Sequence, residues 1–175
     1  MEIMEALFTR RTIRSFTGEG ISRENLTDII RAGMSAPSAH GRRPWRILTV
    51  ESLEKRKALM PLCQWWQMLD KAGVAIVVCS DKSMAEDMPW EFQLNDCSAA
   101  CENMLLAAHG LGLGGVWLGI CESDEKIAKF KKVLEIPDNM RVIGMLAVGH
   151  PSAEPKPEER FDPKKWYSET WGRSK

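Results

Sequence analysis

Apolar positions recur along this chain with two periods, and the alternation between them lays out its elements. Glu2 to Thr9 carries Ile3, Ala6 and Leu7 on one helical face, which predicts a short amphipathic helix. Ser22 is placed to cap a second helix, in which Leu26, Ile29, Ile30 and Met34 follow helical spacing. Trp45 to Val50 reads as a strand, and Ser52 to Leu69 as a helix broken near Pro61. Gly73 to Ser80 is a continuous, largely β-branched apolar run, the pattern of a strand covered on both faces at the centre of a sheet. Glu91 to Leu111 predicts a long helix, so rich in Ala and other small residues that it should be buried. Gly115 to Gly119 reads as a strand, Ser123 to Leu134 as a helix ended by Pro137, and Arg141 to Gly149 as a last strand. From His150 onward the chain is polar and Pro-rich, yet it carries Trp166, Tyr167 and Trp171. Aromatics of that size need cover, and a partner subunit is the natural source of it. No repeat or linker interrupts the pattern, so residues 1–175 are expected to form one domain, with 150–175 as a tail docking on a second copy.

Composition narrows the class. With 44% hydrophobic and 27% charged residues the chain is neither disordered nor membrane-embedded. The longest apolar runs are far too short to span a bilayer. Glu2 and Glu5 stand where a secretory leader would be basic, so no signal peptide is expected. Five cysteines, an odd number scattered through apolar stretches, suit reduced thiols and a cytoplasmic location.

The formal net charge is zero, but the cations are sorted. The first 56 residues hold most of the arginines and, of the lysines, only Lys55. Arginine matches anionic oxygens with a rigid fork of donors, whereas lysine is a point charge. An arginine-loaded N-terminal third on a neutral protein points to a discrete anion rather than to a polyanion surface. The densest stretch is Arg10-Arg11-Thr12-Ile13-Arg14. A second candidate is the turn Ala36-Pro37-Ser38-Ala39-His40-Gly41-Arg42-Arg43-Pro44-Trp45, where two prolines stiffen the backbone and Gly41 frees it. Such a small-residue turn can bring main chain close to a flat ligand.

The Arg-Arg-Thr-x-Arg box followed by a Pro-Ser-Ala...Pro-Trp turn resembles the FMN-dependent nitroreductase family. Three later stretches agree: Asp96 to Leu106, similar to that family's small-residue central helix; Gly112 to Gly119, similar to its flavin-flanking strand; and Val148-Gly149-His150-Pro151 with Arg160, similar to its phosphate-binding end. The resemblance implies an α+β fold, a mainly antiparallel sheet flanked by helices, in an intertwined homodimer. It implies FMN as cofactor, NAD(P)H as co-substrate and a small-molecule acceptor such as a nitroaromatic or a quinone, reduced by a ping-pong mechanism. On the family's pattern Arg10, Thr12 and Arg160 would hold the 5′-phosphate, Arg11 would lie near the ribityl chain, and Arg14 would approach the pyrimidine edge. Pro37, Ser38 and Ala39 would come from the other subunit, with His40, Gly41 and Arg43 in the same turn. Trp117, Leu118 and Gly119 would flank the ring. The family usually carries Asn where this chain has Gly41, and often Gln where it has Arg43. No protein side chain is expected to act as a catalytic group, since the flavin carries the hydride. Asp81 to Trp90, with Met88 and Trp90 as an adaptable apolar wall, is the expected substrate lid.

Other readings are weaker. A flavoprotein of the same fold could consume or fragment flavin, or remove halide, since such activities share the phosphate box. An arginine-rich nucleic-acid-binding domain would need net positive charge and more aromatics interleaved with the patch than Phe16 and Trp45. Gly110, Gly112 and Gly115 satisfy G-x-G-x-x-G, but the predicted helix precedes them and the strand follows, the reverse of a dinucleotide-binding turn. Cys97, Cys101 and His109 share a helix and lack a polar surround, so packing is expected of them rather than a metal. Cys63, Cys79 and Cys121 stand isolated.

Overall fold

The computed structural model describes residues 1–84, 86–120, 123–156 and 158–172. Cys121, one residue of the expected lid (Ala85) and the end of the tail (173–175) lie outside the described residues.

The strand-rich middle of the chain forms a four-stranded sheet in the order β1-β2-β4-β3, antiparallel throughout. The strands are β1 (Trp45–Val50), β2 (Val74–Asp81), β3 (Gly114–Leu118) and β4 (Met140–Gly149). β2 is inner and buried along its whole length, as its apolar run predicts. Its side chains alternate between two cores. Ala75, Val77 and Cys79 face one with Leu59, Trp66 and Phe130; Val74, Ile76 and Val78 face the other with Ile29, Ala100 and Met104. The register of β2 against β4 shifts between Val78 and Cys79, beside Gly144 of β4.

Helices cover both faces: α1 (Ile3–Thr9), α2 (Arg23–Met34), α3 (Leu53–Leu59), α4 (Trp90–Gly110) and α5 (Asp124–Leu134). Ser22, Ser52 and Ser123 each cap a helix by accepting the N–H of the residue three positions on. α4 buries Cys97, Ala100, Cys101, Met104, Leu105 and Ala108, and small side chains let α2 pack closely: a methyl on Gly33 would stand 2.7 Å from Met104 Cγ. After α4, Gly112 takes φ +75° to turn the chain into β3. This is an α+β fold with helices flanking an antiparallel sheet.

Two local expectations give way. The helix expected to run to Leu69 is α-helical only to Leu59 and continues as 3-10 turns at Met60–Leu62 and Gln64–Asp70. Pro61 cannot donate the N–H that a continuing helix needs. Buried Arg56 instead fastens this stretch, donating to the carbonyls of Glu51, Leu69 and Gly73. On α1, Ala6 alone is buried, while Ile3 and Leu7 are 73% and 46% exposed. The amphipathic period is present, but its apolar side stays largely uncovered among the described residues. Phe8, Phe161, Trp166, Tyr167 and Trp171 are also exposed. The rings of Tyr167 and Trp171 lie against one another, tilted by 38° with centroids 4.5 Å apart.

Candidate functional site

Residues 10–16 pass alongside β3 and bring the arginine box to the sheet edge. Thr12 and Gly115 form a parallel bridge, in which the Ile13 N–H donates to the Gly115 carbonyl at 3.0 Å. The approach needs glycine, since a Cβ on Gly114 would lie 2.7 Å from Ile13 Cβ. Because the Gly115 carbonyl points away from β4, strand alternation turns the peptide of Trp117 outward as well. Gly119, just past the strand, is exposed. Leu118 is buried, and the Trp117 indole lies against Gly144 on the α4 side of the sheet. Trp117 and Gly119 thus offer main chain, not side chains, at an open edge.

Beside that edge lies an open cleft of about 420 Å³, lined by Arg11 to Ser15 on one side and by Ala153, Glu154, Pro155, Lys156, Glu158 and Arg160 on the other. Its walls are joined at the base. Thr17 N–H donates to His150 O, Ser152 N–H to Ser15 O, and the hydroxyls of Ser15 and Ser152 meet at 2.6 Å. The cleft gathers Thr12 and Arg160, expected at the phosphate, with Arg11, expected at the ribityl chain, and Arg14, expected at the pyrimidine edge. Arg11 is the best held of them. Its Nη1 donates to the carbonyls of Phe8 and Arg10, and its Nη2 to that of Glu158, while its Nε is buried without a hydrogen-bond acceptor. A buried unsatisfied donor is costly and marks a place where an acceptor belongs. Arg10 turns elsewhere, with its Nε 3.2 Å from Glu102 Oε1 on α4. The donor set suits a phosphate: two or three guanidiniums, an ammonium and two hydroxyls converging from two segments.

The turn after α2 is built differently. Ser38 O accepts the N–H of Gly41 and Ser38 Oγ that of Arg43, while Ala39 donates its N–H to Asp96 Oδ1 at 2.9 Å. His40, Gly41 and Arg43 all hold positive φ, at 51°, 65° and 50°, and two of them pay for it with a Cβ. Asp96 is buried, and its Oδ2 has no hydrogen-bond partner among the described residues. Pro37 stands exposed at the start of the turn. A groove of about 370 Å³ runs between this turn and the expected lid, lined by His40, Arg42, Asp87, Met88, Pro89 and Phe92. Arg42 bridges it to Asp87 at 2.5 Å. Met88 is buried, its carbonyl accepting from Gln93, and Trp90 opens α4 with the Arg141 guanidinium 4.1 Å over its ring.

The turn and the cleft do not share a lining within one chain. Both hang from α4, the turn at Asp96 and the start of the arginine segment at His109, which accepts or donates to Thr9 at 2.8 Å. Thirteen residues of helix separate those two anchors, about 20 Å. Sequence reasoning missed Asp96, Lys156 and Glu158. Asp96 opens the small-residue helix stretch but nothing in that stretch marks its carboxylate as a contact, Lys156 carries no motif, and Glu158 is signalled only by lying two residues before Arg160.

The buried thiols are inert. Burial pushes Cys79 up to about 11, and Cys97 and Cys101 up to about 12, so all three stay protonated at neutral pH. Among the described residues no group of His, Cys, Asp and Glu could hold a metal ion, and no helix is long and apolar enough to cross a membrane.

Comparison with known proteins places these features in a family. The family model described as the nitroreductase family matches residues 7–68 and 61–150. A relative from Archaeoglobus fulgidus, named for NADH dehydrogenase or NAD(P)H nitroreductase activity, is 37% identical over 173 residues, covering 97% of this chain and 99% of its own. A Parabacteroides distasonis crystal structure under the same name superposes with a TM-score of 0.89 at 30% identity, covering 97% of this chain and 98% of that one. A Desulfovibrio desulfuricans structure, described as a nitroreductase in complex with FMN, gives a TM-score of 0.86 at 28% identity, with 98% of each chain covered.

Proposed function

The chain belongs to the nitroreductase family, and on that footing we propose that it is an FMN-dependent oxidoreductase that uses NAD(P)H to reduce a small organic acceptor, a nitroaromatic, a quinone or similar. The observation that carries this reading is the buried, unsatisfied Nε of Arg11 in a cleft also lined by Thr12, Arg14 and Arg160, beside the outward main chain of Trp117 and Gly119. When bound there, FMN supplies the redox chemistry, taking hydride from the nicotinamide and passing it to the acceptor.

The residues of this chain do the holding. Arg11, Thr12 and Arg160 bind the phosphate, with Arg10 behind them on Glu102. Arg14 presents a positive charge that favours added electron density on the ring system. The outward N–H groups of Trp117 and Gly119 would orient the ring system. Nicotinamide and acceptor would use this site in turn, a ping-pong sequence.

The site is completed by a second copy. Pro37, Ser38, Ala39, His40, Gly41 and Arg43 lie too far along α4 from the cleft to close over it within one chain. In a homodimer they reach the partner's cofactor, while the uncovered apolar side of α1 and the aromatics of the 150–175 tail gain their cover. Met88 and Trp90 flank the acceptor as part of a lid. The protein works in the cytoplasm, where its thiols remain reduced.

Light-scattering mass and flavin content, measured on one sizing peak, test the assembly. A dimer with one non-covalent FMN per chain is expected; a colourless monomer would refute it.

A further inference from the structure

The cleft already contains an anion of its own. Glu158 Oε2 stands 3.0 Å from Arg160 Nε and 3.9 Å from Arg11 Nε, so one carboxylate sits between the two guanidiniums that the proposed function assigns to phosphate. Its backbone carbonyl meanwhile accepts from Arg11 Nη2, which brings the tail across the arginine box. The fit is incomplete in a telling way. At 3.9 Å the carboxylate supplies charge to Arg11 but no hydrogen bond, and Arg11 Nε is left buried and unsatisfied.

We propose that Glu158 is an internal competitor for the phosphate subsite, and that it sets how tightly this chain holds phosphorylated flavin. The inference rests on the FMN reading above. A phosphate monoester carries about 1.5 to 2 negative charges at neutral pH and three strong acceptor oxygens. It can satisfy Arg11 Nε and Arg160 together, which one carboxylate at this separation does not. The two anions cannot occupy the space between the guanidiniums at once, so binding must swing the Glu158 side chain out. That movement is cheap, because the Glu158 side chain is 60% exposed and its one hydrogen-bonded pair, with half-exposed Arg160, is solvent-screened. The competition therefore moderates affinity without blocking the site. It also acts on the phosphate alone, so a ligand with the same ring system and no phosphate is indifferent to it.

Glu154 lines the same cleft and makes no ion pair among the described residues. It separates competition from the general effect of removing a negative charge. Equilibrium ultrafiltration of FMN and of riboflavin is measured on the protein and on its Glu158→Gln and Glu154→Gln variants. Glu158→Gln should tighten FMN by about threefold to fivefold, the range of an exposed ion pair, and leave riboflavin unchanged. Glu154→Gln should give a clearly smaller gain. Equal gains in the two variants, weaker FMN binding in Glu158→Gln, or a parallel change for riboflavin would overturn the competition. Failure of the unaltered protein to prefer FMN over riboflavin would instead overturn the phosphate reading on which it stands.

Discussion

Ile13 donates its backbone N–H to the carbonyl of Gly115 at 3.0 Å, and that bond joins the two halves of the proposed cofactor site. It holds the arginine box against the edge of β3, and it reveals which way the peptides of that strand face. The side chains proposed to bind the anion and the main chain proposed to orient the ring are therefore placed by one contact, which Gly114 permits by having no Cβ.

Arg160→Ala should weaken FMN by about 1.5 kcal/mol, the lower end for a charge-assisted bond because the side chain is half exposed. Riboflavin affinity should not change. Arg10→Ala should cost less than Arg160→Ala, since Arg10 is engaged with Glu102 rather than lining the cleft. Flavin titrations of the two variants check this, and a larger loss at Arg10 would move the phosphate toward α4.

Trp90→Ala should alter the ranking of acceptors by kcat/KM much more than it alters FMN affinity or the rate of nicotinamide oxidation. Trp90 is pinned by Arg141, directly follows the groove-lining Met88 and Pro89, and lines none of the phosphate cleft. An unchanged ranking across a panel of quinones and nitroaromatics would make the 81–90 segment a connector only.

Stability should fall with acidification through His109. Burial, then Arg10 and Arg11, hold its pKa below the ordinary 6.5, opposed by Glu5. Thr9 Oγ1 donates to Glu5 O, so it can only accept from His109 Nε2, which fits a neutral ring carrying its proton there. A histidine with a lowered folded pKa leaves the unfolded chain binding more protons just below pH 6.5. Its contribution is thus present above pH 6.5 and is lost as pH falls toward the folded value. Denaturant midpoints above and below that window should diverge less in His109→Gln than in the unaltered protein.

Much of the fold was legible because its signals are local. β2 declares itself by an apolar run that only burial on both faces explains, and α4 by small residues that leave no polar side. The serine caps and Gly112 mark ends that backbone chemistry requires. What was not legible depends on partners far along the chain. Periodicity gives α1 an apolar side, but only the folded chain shows that Ile3 and Leu7 stay exposed among the described residues. Arg10 and Arg11 are indistinguishable as letters, yet one turns onto α4 and the other into the cleft. Asp96 and Glu158 matter through contacts with residues 57 and 147 positions away, at Ala39 and Arg11. Neither spacing carries a period that a sequence could reveal.

The central claim is that this chain binds FMN between its arginine box and the edge of β3 and uses it to carry electrons from a nicotinamide to a separate acceptor. Anaerobic absorbance of the purified protein tests it most directly, with NADH or NADPH added first and an acceptor only after the nicotinamide is consumed. The account predicts that the flavin band bleaches on the first addition and returns on the second. A protein without flavin, or one whose flavin neither nicotinamide reduces, would contradict it.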